Sequence, residues 1–472
     1  MTTLPILPAS LRARCAGLWR VLPAVATVLL LCAPGRRDEA DITTAVHITT
    51  ADVASAVLVV ICAVALLRDR ERPLTRTAVV VLGTPAVAFA LATVASRDPE
   101  TSLPGFVRYV QIFVLVPAAV LLLLRSRRDF RWVATALIAV AVFQGAVGVH
   151  QYVTESGASY AGRYIRAVGT FGALDVMGMA TVVAHGVVLA LALGLAPPAG
   201  SPRWVRPAAL GTSALLLVPL AFSFSRGAWI ATALACTAVL LLAGLRTALG
   251  SMAVLVAAAV VLVGGAGVGS ALIGERLTSI TEVAETPDRS VTDRYAMWSA
   301  AVSMWRDAPV TGVGLKGYPA HRDAHASIGL SSSSDTASAG AKFQREPLLT
   351  PHNMYLLVLS EQGLVGLTAV VGSWTAVLVL GVRRLRRGRG ALRTGKPADC
   401  GLAAAGLLVY QLADFLYADI GGPETVITAL MYGLAAWWAL GSEARVEGPP
   451  VGSVPAPASA AVAMVPGGTG HP

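Results

Sequence analysis

Three arginines and a histidine carry the chemistry legible in this chain: Arg166, Arg226, Arg294 and His352. An arginine fork stays charged at any relevant pH and presents paired donors that match phosphate oxygens. An imidazole titrates near neutrality and can take a proton from a hydroxyl. Each stands in a distinctive run. Arg166 opens Arg166-Ala167-Val168-Gly169-Thr170-Phe171-Gly172, and Arg226 lies in Phe224-Ser225-Arg226-Gly227-Ala228-Trp229. Arg294 lies in Asp293-Arg294-Tyr295-Ala296-Met297-Trp298, and His352 in Thr350-Pro351-His352-Asn353. Taken singly, each has a plainer reading. An arginine at a hairpin turn is usually an interfacial anchor, and one on a polar helix is usually solvated. A lone histidine beside a membrane helix is usually structural, the reading kept for His150 and His185.

Local signals set expectations for these residues. Tyr295, Trp298, Val302 and Trp305 recur at helical spacing, so 292–307 reads as an amphipathic helix ended by Pro309, with Arg294 in its first turn. Its indoles suit the headgroup level of a bilayer. Gly312, Gly314 and Gly317 then allow a tight path. Thr350 as N-cap and Pro351 as first helical residue would put His352 in the first turn of a helix. A helix N-terminus disfavours imidazolium, so His352 is expected to be neutral near pH 7. Glu361 follows two to three turns later and must face protein or a water-filled cavity. Asp414, near a helix end, reads equally as a counter-charge to the arginines or as solvated, and Asp419 reads as solvated. Their spacing of five residues does not place them on one helix face.

These residues are set in a membrane protein. The chain is 55% hydrophobic and 14% charged with a mean hydropathy of +0.67, which excludes a water-soluble globular class. Apolar runs of about 18 residues or more read as membrane-spanning helices. Twelve are expected, at 17–34, 50–67, 77–95, 107–124, 132–152, 173–195, 208–225, 227–245, 252–274, 354–381, 400–418 and 424–441. Residues 208–245 are about twice a bilayer crossing, so a hairpin turning at Ser225-Arg226-Gly227 is expected. The fold class is therefore an all-α polytopic membrane protein. It divides into nine spans over 1–274, a large outer loop over 275–353, three spans over 354–441 and a disordered tail over 442–472.

Basic residues orient the spans. With both termini cytoplasmic, 22 of the 37 Lys and Arg fall on cytoplasmic segments, including Arg68, Arg125, Arg131 and the run from Arg383 to Lys396. The net charge of +10 is then a topology signal, and nucleic acid is not an expected partner. The five cysteines are scattered over the termini and spans, which supports neither a disulfide framework nor a zinc site. The N-terminus reads as an uncleaved first span. Ser331 to Gly340 is of low complexity and reads as a mobile insertion or, less favoured, a lid.

In this order and topology, the four runs resemble the O-antigen ligase and polymerase family of bacterial integral-membrane glycosyltransferases. The last run continues through Met354-Tyr355-Leu356 to Glu361, Gly363 and Gly366, and the resemblance covers 163–367. The chain departs from the family at Ala173-Leu174-Asp175, where members often carry Asn and Pro. The resemblance implies a GT-C-type membrane glycosyltransferase at the outer face of the plasma membrane. Its donor would be a polyprenyl diphosphate-linked glycan, and its acceptor a glycan, a glycolipid or a wall polymer. It implies direct, inverting transfer without metal or other cofactor. His352 would be the base, Arg226 and Arg294 the diphosphate ligands with Arg166 a third, and Glu361 and Asp414 supporting residues. The rival reading is a twelve-span transporter or flippase. That reading calls for internal repeats and broken helices at mid-membrane in both halves, whereas here the polar residues cluster in one loop and at span ends.

A reporter active only outside the membrane should be active when fused near Ser333 and silent after Arg389. The opposite pattern overturns the orientation.

Overall fold

The computed structural model describes residues 9–31, 50–69, 74–160, 162–172, 175–244, 249–250, 289–326, 330, 333–338, 341–390, 398–420 and 424–442. Eleven of the twelve expected spans overlap helices. These are α1 (Ala9–Leu30), α2 (Thr50–Asp69), α3 (Arg76–Val94), α4 (Pro99–Leu123, with a π-helical turn at Gln111–Leu115), α5 (Arg127–Val153), α6 (Gly178–Leu195), α7 (Val205–Phe222) and α8 (Arg226–Ala243), then α11 (Met354–Gly390), α12 (Asp399–Asp414) and α13 (Glu424–Leu440). Between them come α9 (Arg289–Asp307) and α10 (Tyr318–His325). The span expected at 252–274, the start of the long loop and the tail beyond 442 lie outside the described residues. Eight described helices are long and apolar enough to cross a membrane, and Trp19–Leu30 and Thr425–Leu440 are shorter apolar helices.

Short polar residues start the helices where the sequence permits. Thr75, Asp98 and Ser225 each accept an amide from the first turn of α3, α4 and α8, and Ser126 with Asp129 forms a reciprocal capping box on α5. The expected hairpin at 225–227 is present. Among the eight helices long and apolar enough to cross a membrane, α6 is the most enclosed, packed against α5, α7, α8 and α12. Small residues allow that approach: a Cβ on Gly186 would meet Ala141 at 2.3 Å, and one on Gly406 would meet Val188 at 2.6 Å.

Helix ends group as alternating spans require. Arg131 at the start of α5 makes a two-pronged pair with Asp399 at the start of α12, at 2.6 and 3.0 Å. At that same end, Trp437 donates to Leu124 O and Arg384 donates to Gly441 O. At the other end Arg108 pairs with Asp52, and Gln111 donates to Ser55 Oγ.

Two features depart from the sequence expectations. The first is a four-stranded antiparallel sheet on the polar side, ordered β2 (Arg163–Arg166), β1 (Ala158–Tyr160), β3 (Ser333–Ser338), β4 (Ala341–Pro347). The low-complexity stretch therefore supplies an inner strand, with Ala158 opposite Ser338 and Ser333 opposite Pro347. Composition alone suggested no strand there. Pairing with segments on both sides satisfies its backbone and overrides weak propensity.

The second is a break in α11. Gly363 has φ +63° and ψ −162°, so residues 354–362 and 364–390 are two helices rather than one. The groups freed by the break are taken by the loop after α9. Val313 N–H donates to Ser360 O and Gly314 N–H to Glu361 O, both at 2.9 Å. Leu364 N–H and Val365 N–H donate to Pro309 O and Val310 O at 3.0 and 3.1 Å. Inside a bilayer such a break is tolerated only where protein pairs the freed groups. Glycine is required on both sides of this contact: Gly312 has φ +69°, and a Cβ there would lie 2.3 Å from Gln362 N.

Gly363→Ala should destabilise the protein, because its Cβ would fall 2.3 Å from Val310 C and a side chain at this positive-φ, extended backbone itself costs about 1–3 kcal/mol. Gly372→Ala, within the same helix and with nothing within 4 Å, is the control and should be neutral or stabilising. Detergent-solubilised thermal melts compare them, and equal midpoints would show that the break is not held as described.

Candidate active site

Helix α9 lays Met297, Ala300, Ala301 and Met304 into the core and leaves Tyr295 exposed, with Trp298 and Trp305 partly so. The aromatic face expected at headgroup level is thus the outer one. The helix begins at Arg289, three residues earlier than expected, so Arg294 lies in its second turn rather than its first. Trp298 Nε1–H donates to Pro351 O at 2.9 Å, which fastens the Arg294 helix beside His352.

His352 is not in a helical first turn. It has φ +49°, and α11 starts after it at Met354. Asn353 is the cap instead of Thr350: its Oδ1 accepts Leu356 N–H at 3.1 Å, and its carbonyl accepts Leu357 N–H at 2.9 Å. Capping by Asn353 leaves Pro351 and His352 outside the helix, free to turn back over its end. His352 still has a lowered pKa, but the dominant cause is burial, with the charge of Arg294 adding to it and Asp419 opposing it.

Asp419 is the residue that sequence reasoning missed. The residue is half-buried with its Oδ2 turned out of solvent, so the solvated reading holds only in part. The turn after α12 brings it in. Met354 N–H donates to Phe415 O at 2.9 Å and to Ala418 O at 3.1 Å, and Asn353 Nδ2–H to Leu416 O at 3.1 Å. A carboxylate just past an apolar helix at the outer end was the only signal. Asp414, also buried, anchors this turn through its carbonyl, which accepts Tyr417 N–H at 2.8 Å and Ala418 N–H at 2.9 Å. Its solvated alternative is overturned.

The same turn reaches Arg226. Gly227 sits against Tyr417, where a Cβ would come within 2.9 Å of the tyrosine Cβ. Arg226 is the first residue of α8, after Phe224 in a left-handed conformation at φ +49°. Tyr160 of β1 stacks on Phe224 with ring centroids 4.4 Å apart, holding that strained turn. Arg166 Nε–H donates to Ser223 O at 3.0 Å, and Ala167 N–H donates to Phe222 O at 3.0 Å. The loop after Arg166 is pinned by two glutamines of α5. Gln151 Oε1 accepts Val168 and Gly169 N–H at 3.0 and 2.9 Å, and Gln144 Oε1 accepts Thr170 N–H at 2.9 Å. Gly169, at φ +61°, must lack a Cβ because Gln144 Oε1 lies 2.2 Å from where one would stand.

All four runs therefore meet at one end of the bundle. Arg166 braces the Arg226 turn, that turn packs on the 415–419 turn, and the latter seats His352 beside Asp419. Trp298 brings in the Arg294 helix. Glu361 is buried one half-helix away from His352 and accepts Tyr318 N–H at 3.2 Å. The charges of Arg294 and Asp419 both act on the buried His352, and a guanidinium beside a neutral imidazole can hold an anion and take a proton from a bound hydroxyl.

No curated protein matches the chain. The family model described as O-antigen ligase matches residues 211–371, the segment that carries Arg226, Arg294, His352 and Glu361 but not Arg166, Asp414 or Asp419. The chain is thus a multi-pass membrane protein that is similar to O-antigen ligases over residues 211–371.

Proposed function

We propose that the chain transfers a glycan from a polyprenyl diphosphate carrier to an acceptor hydroxyl at the outer face of the plasma membrane. The observation that supports this reading is that the Arg226 turn packs on the 415–419 turn that seats His352, while the Trp298 contact brings the Arg294 helix beside His352. The diphosphate is held by Arg226 and Arg294, with Arg166 bracing the Arg226 turn from the Ser223 carbonyl. His352 takes the acceptor proton as the acceptor oxygen bonds to the anomeric carbon. The bond from that carbon to the diphosphate breaks, the electron pair leaves with the diphosphate, and the anomeric centre inverts. The diphosphate stabilises its own charge, so the mechanism asks for cations and a base and for no metal. Asp419 stabilises the imidazolium formed in this step. Its role parallels that of the carboxylate behind a catalytic histidine in hydrolases. Assays with lipid-linked, glycolipid and wall-polymer acceptors distinguish ligation from polymerisation and identify the acceptor class.

Beside the many-span architecture, the broken α11 favours transport, since discontinuous helices form ion and substrate sites in transporters. Here the four backbone groups around Gly363 are paired with residues 309–314, so the break holds a loop in place instead of lining a cavity.

The purified protein should release polyprenyl diphosphate from a lipid-linked glycan only when an acceptor is present. His352→Ala should abolish turnover by roughly 10²–10⁴-fold while donor binding survives. Arg226→Ala and Arg294→Ala should weaken both donor binding and turnover, and Lys at either position should rescue only in part. His352 must be neutral to act, so activity should fall with acid through a midpoint below the ordinary histidine value of 6.5. Asp419 favours the protonated ring, so Asp419→Asn should move that midpoint further down while slowing turnover. Full activity in His352→Ala, or normal donor binding and parental turnover in both arginine variants, would overturn the assignment.

A further inference from the structure

Glu361 has more partners than a span residue needs. It is 3% exposed, so its oxygens are costly unless donors meet them. Three do. Tyr318 N–H donates at 3.2 Å, Tyr109 O–H at 3.4 Å, and the Lys316 backbone N–H also donates. Two of these come from one tight turn, in which Lys316 has φ +57° and Gly317 follows. A carboxylate offers acceptors on both oxygens and suits a site ringed by donors.

Tyr318 then reaches the other way. Its side chain is fully buried, and its hydroxyl donates to Met297 O at 2.9 Å. Met297 is three residues along α9 from Arg294. The neighbouring Trp298 donates to Pro351 O, the carbonyl just before His352. A closed circuit results: His352, the 354–362 half-helix, Glu361, Tyr318, α9 and back to Pro351. Arg294 and His352 ride on opposite sides of it. The break at Gly363 makes the circuit possible, because it lets residues 309–318 enter beside Glu361.

We propose that Glu361 is a positioning residue. By accepting the Tyr318 and Lys316 amides it locks the 315–318 turn, and through Tyr318 it sets the placement of the Arg294 helix against His352. It acts through Tyr318 and not on substrate. The inference rests on the assignment of Arg294 and His352 made above.

The two charged groups that face His352 report on that placement. Arg294 lowers its titration midpoint and Asp419 raises it. Loosening α9 removes the Arg294 contribution, so the midpoint should move up towards the ordinary value. This can be read without turnover, because diethyl pyrocarbonate modifies neutral imidazole. The full-length protein in detergent is labelled across pH, and the His352 peptide is quantified by mass spectrometry. Glu361→Ala and Tyr318→Phe should each raise the midpoint and cut turnover on a polyprenyl diphosphate glycan by about 10- to 100-fold. The double variant should be no worse than Glu361→Ala alone, since both break one link. Glu361→Gln keeps an oxygen for the amides and should restore the midpoint and most of the rate.

Tyr318→Phe removes a single oxygen atom and carries the test if Glu361→Ala does not fold. An unmoved midpoint in Tyr318→Phe, or a Gln variant that behaves as Ala does, overturns the positioning role. If the midpoints shift as described while the parental protein shows no transfer, the glycosyltransferase reading fails and the structural link stands. If the parental protein transfers glycan and Glu361→Ala does so equally well, the reverse holds.

Discussion

The arrangement depends on one constraint: backbone hydrogen-bonding groups cannot be left unpaired at a membrane-facing depth. Gly363 interrupts α11, and four groups that a continuous helix would pair internally are released. Residues 309–314 take them up in register, two amides to two carbonyls and two carbonyls to two amides. That exchange makes the loop after α9 part of the bundle. It also explains the spacing of Pro309, Gly312, Gly314 and Gly363, which would otherwise look like a flexible tract. Glycine is needed where two backbones touch, and the positive φ angles at Gly312 and Gly363 follow from the same contact.

A second balance is electrostatic. His352 sits between Arg294, which disfavours its charged form, and Asp419, which favours it, while burial keeps the ring neutral at rest. In the proposed mechanism, a base so placed is ready to accept a proton and finds a partner for the charge once it has. The strain around it is consistent with a built site. Three of the four non-glycine residues with positive φ among the described residues are Phe224, Lys316 and His352, each beside a functional run. Each is held by an identifiable contact: Tyr160 on Phe224, Glu361 on the Lys316 amide, and the Asn353 cap beyond His352.

Much of this was legible in the residues because the signals were local. Spans follow from apolar runs against a fixed bilayer thickness, and the hairpin at Arg226 from a run twice that length. The runs around Arg166, Arg226, Arg294 and His352 stood out because glycine, arginine and histidine are rare punctuation in apolar sequence. Local signals also misled. Thr350-Pro351 is a good helix start, yet Asn353 caps α11, because the turn at 415–419 claims the Met354 amide and fixes where the helix can begin. The stretch from Ser331 to Gly340 lacks strand propensity, yet β3 forms because β1, far away in the chain, and β4, which follows it directly, flank it.

What the sequence determined by itself is the class of molecule, most of its helices and the residue types that could bind an anion and move a proton. Those depend on composition and on spacings of a few residues. The tertiary structure alone decided which of them meet. Asp419 became a partner of His352 because the end of α12 folds back over the start of α11. Glu361 became a junction because a glycine break admitted a loop beside it. Neither could be read from spacing, since each joins segments from about 40 to 250 residues apart, and such contacts arise only when burial forces distant backbone and charge to pair.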